Sequence, residues 1–408
     1  MSINRVKVKE SMESKGITTY KELASHLNIT HNQLSRMLSA QYNPLKSKAV
    51  ELGEFLDLSP LELIESEAKI PPRIPRDSNS GSVTAVELFA GAGGLALGLE
   101  QAGIKTVELV EIDKFCCETL KQNRPEWNIT NADIHNVDFS HHKGNVDIVT
   151  GGFPCQAFSY AGKKLGFEDT RGTLFYEFAR CVREIEPRVF LAENVRGLLS
   201  HDGGRTLETI IDVLEEVGYV VQYKVLNAAY YGVGQKRQRL LIVGTKPGIK
   251  YVFPQPEPTM TTLRSVLKNV PPSEGQKYSE KKYAVLSLVP PGGSWVDLPE
   301  NIQRDYMGKS FYSGGGKRGM ARRIAWDEPC LTLTCSPSQK QTERCHPDET
   351  RPFTVREYAR IQSFPDDWIF CGGTGEKYKQ IGNAVPVELA RRVGTTLKDA
   401  ITKSECMQ

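Results

Sequence analysis

Short apolar, β-branched runs that stop at glycine or at an acidic residue recur from residue 83 onward. The first, residues 83–89, is a strand candidate that breaks at Ala90-Gly91-Ala92-Gly93-Gly94. An apolar helical stretch over 95–102 follows and stops at Gly103, a residue suited to ending a helix. A second strand, 106–110, runs into Glu111-Ile112-Asp113, and Asp133-Ile134 closes a third unit of the same kind. The run 147–149 stops at Gly151-Gly152, 189–192 leads into Glu193, and 240–243 follows a basic turn. Strands alternating with helical stretches predict an α/β fold. Open sheets of that kind bind ligands beyond the carboxyl ends of their strands.

Residues 4–64 carry a helical pattern instead. Thr19-Tyr-Lys-Glu22 and Thr30-His-Asn-Gln33 each match a capping box, so two helices are predicted to begin eleven residues apart. Leu23, Ala24 and Leu27 form the apolar stripe of the first, and Leu34, Met37 and Leu38 that of the second, with Asn28-Ile29-Thr30 as the turn. This arrangement resembles a helix-turn-helix of the phage-repressor type. His31, Asn32, Gln33, Ser35 and Arg36 then occupy the exposed, hydrogen-bonding face of the second helix, suited to DNA. A helical bundle for protein contacts is the alternative. Residues 66–82, mixed in Pro, Ser, Gly and charge without period, read as a linker.

A chain of 408 residues is long for one compact domain and suggests two or three. No run of eighteen apolar residues and no charged-then-apolar leader pattern occurs, so no membrane partner and a cytoplasmic setting are expected. Nine cysteines without a repeating spacing fit reduced thiols better than a disulfide framework. The net charge of +3 matters only once it is located. Residues 246–345 hold fifteen Lys or Arg against nine Asp or Glu, giving +6 and leaving −3 elsewhere. A basic segment on a slightly acidic chain points to a polyanion.

Two strand ends suggest chemistry. Gly152-Phe-Pro-Cys-Gln156 sets the Cys155 thiol in a loop at a sheet's carboxyl edge, behind a proline that stiffens the approach. The plain alternative is a buried structural cysteine. The glycines 91, 93 and 94 allow close backbone approach at a helix N-terminus. An acidic residue, Glu111, lies about twenty residues beyond, where it can accept from ribose hydroxyls. Together these favour a nucleoside cofactor.

Phe89-Ala-Gly-Ala-Gly-Gly94, Gly152-Phe-Pro-Cys-Gln156, Glu193-Asn194-Val195, Gln235-Lys-Arg-Gln-Arg239, Arg356-Glu-Tyr-Ala-Arg-Ile-Gln-Ser-Phe-Pro365 and Gln380-Ile-Gly-Asn-Ala-Val-Pro386 follow one another in the chain. Their order resembles that of the C5-cytosine DNA methyltransferases of bacterial restriction-modification systems. The resemblance covers residues 83–394, with a variable gap between 251 and 345. It implies a Rossmann-like methyltransferase sheet with helices on both faces. Residues 83–250 and 346–400 would form the catalytic domain, 251–345 a target-recognition domain, and 1–65 an added helix-turn-helix domain.

By the same resemblance Cys155 is a nucleophile for cytosine C6, Glu193 an acid at N3, Arg239 a contact to the O2 edge and Arg237 its neighbour. A thiol with an ordinary pKa of about 8.5 needs activation for that task. The implied cofactor is S-adenosylmethionine, held by Phe89, Ala90, Gly91, Ala92, Gly93, Gly94, Glu111, Ile112, Asp133, Ile134, Leu174 and Asn383, with no metal. Cys330, Cys335, Cys345 and His346 lack the paired spacing of a zinc set. Gly234 replaces a proline more often found in its motif, which suggests a looser loop.

A cytosine in a duplex must be flipped out to reach such a thiol. Gln156 and Ser159 would touch DNA in a mobile loop that closes over the base and runs to Gly172. The basic 251–345 segment, with Ser313-Gly-Gly-Gly-Lys-Arg318 and Arg322-Arg323, suits phosphates and guanine edges. Double-stranded DNA is therefore the expected partner, alongside a functionally paired restriction endonuclease. The catalytic unit is expected to be a monomer, with dimerisation open to the N-terminal domain. Repression of its own promoter by that domain is the expected added role. One rival is an RNA methyltransferase, because one branch with these motifs modifies transfer RNA. Another is a non-enzymatic transcription factor. The N-terminal domain and basic insert oppose the first, and Cys155, Glu193 and the glycines oppose the second.

Overall fold

The computed structural model describes residues 2–3, 5–27, 34, 38, 52, 55–58, 64–65, 82–154, 173–312 and 319–405. In chain order its principal helices begin with α1 (Arg5–Ser14) and α2 (Tyr20–His26). The sheet strands and their helices then run β1 (Thr84–Leu88), α3 (Gly94–Gln101), β2 (Lys105–Glu111), α4 (Lys114–Asn123), β3 (Ile129–Asn131) and β4 (Ile148–Gly151). They continue with α5 (Thr173–Ile185), β5 (Val189–Val195), α6 (Arg205–Glu216) and β6 (Gln238–Thr245). The last are α7 (Glu280–Leu286), α8 (Glu300–Met307), α9 (Val355–Ile361), α10 (Thr374–Asn383) and α11 (Val387–Glu405). Among the described residues no helix is long and apolar enough to cross a membrane.

The chain divides into two compact units, one of residues 1–81, 135–223 and 240–249, the other of 82–134, 224–239 and 250–408. In the first unit Val8, Met12, Leu23, Ala24, Leu27, Leu34 and Leu38 share one small core. Thr19 caps α2 by accepting from the Glu22 amide at 3.2 Å. The reciprocal half of the capping box is displaced by one residue, because the Glu22 carboxylate takes the Thr18 N–H at 3.0 Å. The second predicted capping box, with His31, Asn32, Gln33 and Arg36, lies outside the described residues.

Strands β4 and β5 of this unit pair in parallel from Ile148↔Val189 to Gly151↔Ala192, and β6 lies next to β5. Phe190 lies across β6 where Gly244 leaves room; a Cβ there would sit 2.0 Å from the Phe190 ring.

In the other unit the strand order is β3-β2-β1, all parallel. Helix α3 crosses α11 closely. A Cβ on Gly98 would lie 2.4 Å from the Ala390 Cβ and 2.5 Å from the Val387 carbonyl, so only glycine fits. The core behind the strands joins Leu97, Leu109 and Leu120 to Phe353, Tyr358, Phe364, Trp368 and Ile381, so the C-terminal segment packs with the first strands. A satellite core of Leu286, Leu298, Tyr306, Met307 and Ala321 serves the predicted recognition segment.

Strand limits move by only a few residues. Glu111 is the last residue of β2, as expected, while β5 continues two residues past Glu193.

Candidate active site

The register of β4 on β5 sets Gly151 beside Ala192, so Gly152 comes level with Glu193. A Cβ on Gly152 would lie 2.9 Å from Glu193 Oε2. The carboxylate fills space that any other residue would claim. Asn194, buried, donates its Nδ2–H to the Phe153 carbonyl at 2.9 Å and accepts from the Val195 amide at 2.9 Å. Phe153 is itself buried against Phe175 and Phe178 of α5, with ring centroids 5.4 and 5.7 Å away. The Glu193-Asn194 pair thus fixes the two residues that lead into Pro154 and Cys155. Cys155, Gln156 and Ser159 themselves lie outside the described residues, and Leu174 is half-buried in the first turn of α5.

The glycine turn belongs to the other unit. Phe89, half-buried, holds a left-handed backbone at φ +57°. For so bulky a residue that conformation stores about 1–3 kcal/mol of strain, of the kind concentrated at functional sites. Gly91 follows at φ +55°, with nothing within 4 Å of where a Cβ would stand. The next glycines answer to packing. A Cβ on Gly93 would meet Leu120 at 2.6 Å, and one on Gly94 would meet the Val385 carbonyl at 2.3 Å. Ala90 and Ala92 are buried.

Glu111, also buried, accepts from the Gly91 amide at 2.7 Å through Oε2 and from the Asp113 amide at 2.7 Å through Oε1. Each oxygen retains a lone pair for a further donor, such as a ribose hydroxyl. Ile112 between them is 66 % exposed, an apolar face on the outside of a polar turn. Asn383, exposed at the end of α10, accepts from the Cys335 thiol at 2.9 Å. Open space beside Gly91, an acidic acceptor and an exposed apolar side chain suit a nucleoside with a polar tail, and hence S-adenosylmethionine. Asp133 is exposed, whereas Ile134 is buried rather than presenting a face.

One acid here was not anticipated. Glu87 of β1 is buried and takes the Ala96 amide, one of the N–H groups that α3 leaves unpaired. Burial is the main cause that pushes its carboxyl up to about 8, and the nearby Glu111 charge adds to it.

Arg237 is set among main-chain carbonyls. It is buried, and its Nη atoms donate to the carbonyls of Leu333 at 3.2 Å and Gly382 at 2.8 Å. Around it Gln235 accepts from the Leu333 amide at 2.8 Å and donates to Gln362 at 3.1 Å. Gln362 in turn donates to the Ile381 carbonyl at 2.8 Å. Three motifs therefore meet in one buried polar network. Arg239, at the start of β6, is only half-buried and donates to the Gln238 carbonyl at 2.9 Å.

Nor is Gly234 a loose position. It is buried, its carbonyl accepts from the Cys330 amide at 2.8 Å, and Val266 fills the place of its Cβ at 2.5 Å. Cys345 donates to the Glu349 carbonyl at 3.5 Å while Cys335 turns to Asn383, so these thiols serve separate partners.

Sequence reasoning passed over Asn194, Asp113 and Lys379. Asp113 carried a signal, since an Asp just before a helix is a cap. It accepts from the Phe115 and Cys116 amides at 2.9 and 3.3 Å.

Comparison with known proteins bears on this geometry. Residues 83–399 match the family model of the C-5 cytosine-specific DNA methylases. The Type II methyltransferase M.Eco47II of Escherichia coli is 60% identical over 332 residues, 78% of this chain and 80% of its own. M.Sau96I of Staphylococcus aureus is 51% identical over 424 aligned positions, covering 97% of this chain and 98% of its own. That share leaves no room to omit residues 1–82, so the N-terminal segment has a counterpart there. Among solved structures, a DNA modification methyltransferase encoded within an E. coli prophage covers 79% of this chain and all of its own at TM-score 0.59 and 24% identity. Spodoptera frugiperda DNMT2 covers 78% of this chain and 99% of its own, also at 0.59, with 18% identity. These likenesses give the fold, an α/β methyltransferase with a mostly parallel central sheet. The chain belongs to the C-5 cytosine-specific DNA methylase family. It is a DNA cytosine-5 methyltransferase of the Type II, restriction-modification kind, and its cofactor is S-adenosylmethionine.

Proposed function

We propose that this enzyme methylates a flipped cytosine through a covalent adduct of Cys155. The observation that supports it most is the Glu193 carboxylate lodged over Gly152, at the entrance to the cysteine loop. The Cys155 thiolate bonds to C6, and the C5–C6 π pair moves toward the ring's N3 and O2. Glu193 holds a proton at N3 and Arg239 donates to O2, so the developing charge is met by preset donors. S-adenosylmethionine, when bound, supplies a methyl group on a sulfonium to C5. A water or hydroxide then takes the C5 proton, the C5–H pair forms the C5–C6 double bond, and the Sγ–C6 bond breaks to release the Cys155 thiolate. Asn194 holds the loop's entry residues, and Arg237 holds Gly382 next to Asn383.

Phe89, Gly91, Glu111, Ile112 and Asn383 would hold the cofactor, with Asp133 and Leu174 at its margins. Residues 1–65 would bind DNA through His31, Asn32, Gln33 and Arg36 and repress the enzyme's own promoter. Residues 251–345 would read the target, with Gln156 and Ser159 beside the flipped base. A monomeric catalytic unit and a paired endonuclease complete this reading.

Tritiated methyl transfer to unmethylated DNA and to transfer RNA, with bisulfite sequencing of the DNA, tests it. Label in DNA at C5 that drops at least a thousandfold in Cys155→Ser is expected. Label only in RNA would overturn the substrate, and full label in Cys155→Ser would overturn the adduct. For the promoter, gel shifts of the full chain and of Arg36→Ala on its upstream DNA should differ; equal shifts would remove the idea.

A further inference from the structure

We infer that Lys379 is a positioning residue for the cofactor, fixing the C-terminal helix α10 against the Glu111 turn. This rests on the reading of Glu111 and Asn383 as cofactor ligands and adds a residue that the motifs do not assign. Asp113 divides its two carboxylate oxygens between two elements. Oδ1 takes the Phe115 and Cys116 amides and so caps α4, while Oδ2 takes the Lys379 ammonium at 2.8 Å. The Asp113 backbone N–H meanwhile donates to Glu111 Oε1 at 2.7 Å, and Gly91 donates to Oε2. One continuous chain of charge-assisted bonds therefore runs from α10 through Asp113 and Glu111 to the glycine turn.

The geometry of α10 gives this chain its purpose. Lys379 and Asn383 are four residues apart and lie on one helical face. Anchoring Lys379 on Asp113 sets the azimuth at which Asn383 is presented. A neighbouring contact fixes the helix's height, since Thr119 of α4 donates to Gln380 Oε1 at 2.6 Å. The Lys379 ammonium also lies 3.5 Å from Glu376, one turn back on α10. The Asp113 carboxyl is held below its ordinary range chiefly by its bond to Lys379, against the opposing effect of burial.

The test measures S-adenosylmethionine binding by calorimetry beside steady-state kinetics, for wild type, Lys379→Met, Lys379→Arg and Asp113→Asn. Asparagine keeps the helix cap while removing the charge. Lys379→Met and Asp113→Asn are each expected to raise the cofactor Kd and KM about five- to tenfold, with kcat at saturation within twofold. Lys379→Arg should restore most of the loss, and the double variant should be no weaker than either single one. A packing role alone would lower the melting temperature without splitting KM from kcat. Wild-type Kd in Lys379→Met, or a fall in kcat with Kd unchanged, would overturn the inference. Glu111→Ala separates the two levels. If it binds cofactor as wild type does, the site reading itself fails; if it weakens binding while Lys379→Met does not, only the positioning role fails.

Discussion

The Glu111 turn and the Arg237 network lie in the same unit and are both built from motif residues, yet they spend their polar groups differently. At the turn, Glu111 takes two backbone amides and keeps lone pairs over, Ile112 stands 66 % exposed, and Phe89 holds a strained backbone. In the network, Gln235, Arg237 and Gln362 are buried, and they answer one another and the carbonyls of Leu333, Gly382 and Ile381. The first region keeps acceptors and an apolar face open, whereas the second turns its side chains onto main-chain groups of the same unit. A motif therefore marks two physically distinct duties, and burial against main-chain carbonyls separates them.

The largest test of that contrast lies in the Arg237-x-Arg239 pair. Arg237→Met leaves two buried carbonyls without their donor, each worth roughly 1–3 kcal/mol. A stability loss of about 4 kcal/mol is expected, read as a falling urea midpoint. Arg239→Ala, by contrast, should leave the midpoint within about 0.5 kcal/mol, as for an ordinary surface change, while kcat/KM on DNA falls at least a hundredfold. If both variants lose stability alike, the two arginines share one structural duty and the contrast collapses.

A smaller effect is expected in the cysteine loop of the other unit. Gly152→Ala puts a Cβ 2.9 Å from Glu193 Oε2, so the carboxylate must move by a few tenths of an ångström. Catalysis depends on position at that scale. Methyl transfer should fall about a hundredfold, or about 2.7 kcal/mol in the barrier, with the cofactor Kd unchanged. Activity within threefold of wild type would show that Glu193 is not tuned by this contact.

Much of this was legible in the chain. The strand–glycine–helix rhythm found β1, α3 and β2, because glycines and β-branched runs are local signals. The order of six motifs identified the family. What stayed hidden was the direction in which a polar motif residue points. Arg237 and Arg239 are two residues apart on an extended segment, and nothing local says which is buried against Leu333 and Gly382, 96 and 145 residues away. Gly234 was similarly opaque, because its reason is Val266, a residue in another segment. Glu87 lay in plain sight within the first strand, but alternation cannot separate a buried acid from an exposed one when the strand is covered on both faces.

Glu87 sharpens the comparison because it shares both conditions: buried like the network, yet with one carboxylate oxygen that no donor reaches. Its proton is retained in the folded enzyme up to about pH 8, while the unfolded chain releases it near the ordinary 4.5. The folded state thus binds a proton that the unfolded state has lost, so stability contributed by this group falls as pH rises between those values and is gone above about 8. The slope is at most roughly 1.4 kcal/mol per pH unit. Urea midpoints from pH 6 to 8 should decline in the wild type and decline less in Glu87→Gln, which keeps an acceptor for the Ala96 amide and cannot ionise. Parallel declines in the two proteins would mean that Glu87 is ionised in the fold and that an unseen donor meets its second oxygen. A flatter line in the glutamine variant would place the cofactor turn on a neutral, protonated carboxyl at Glu87.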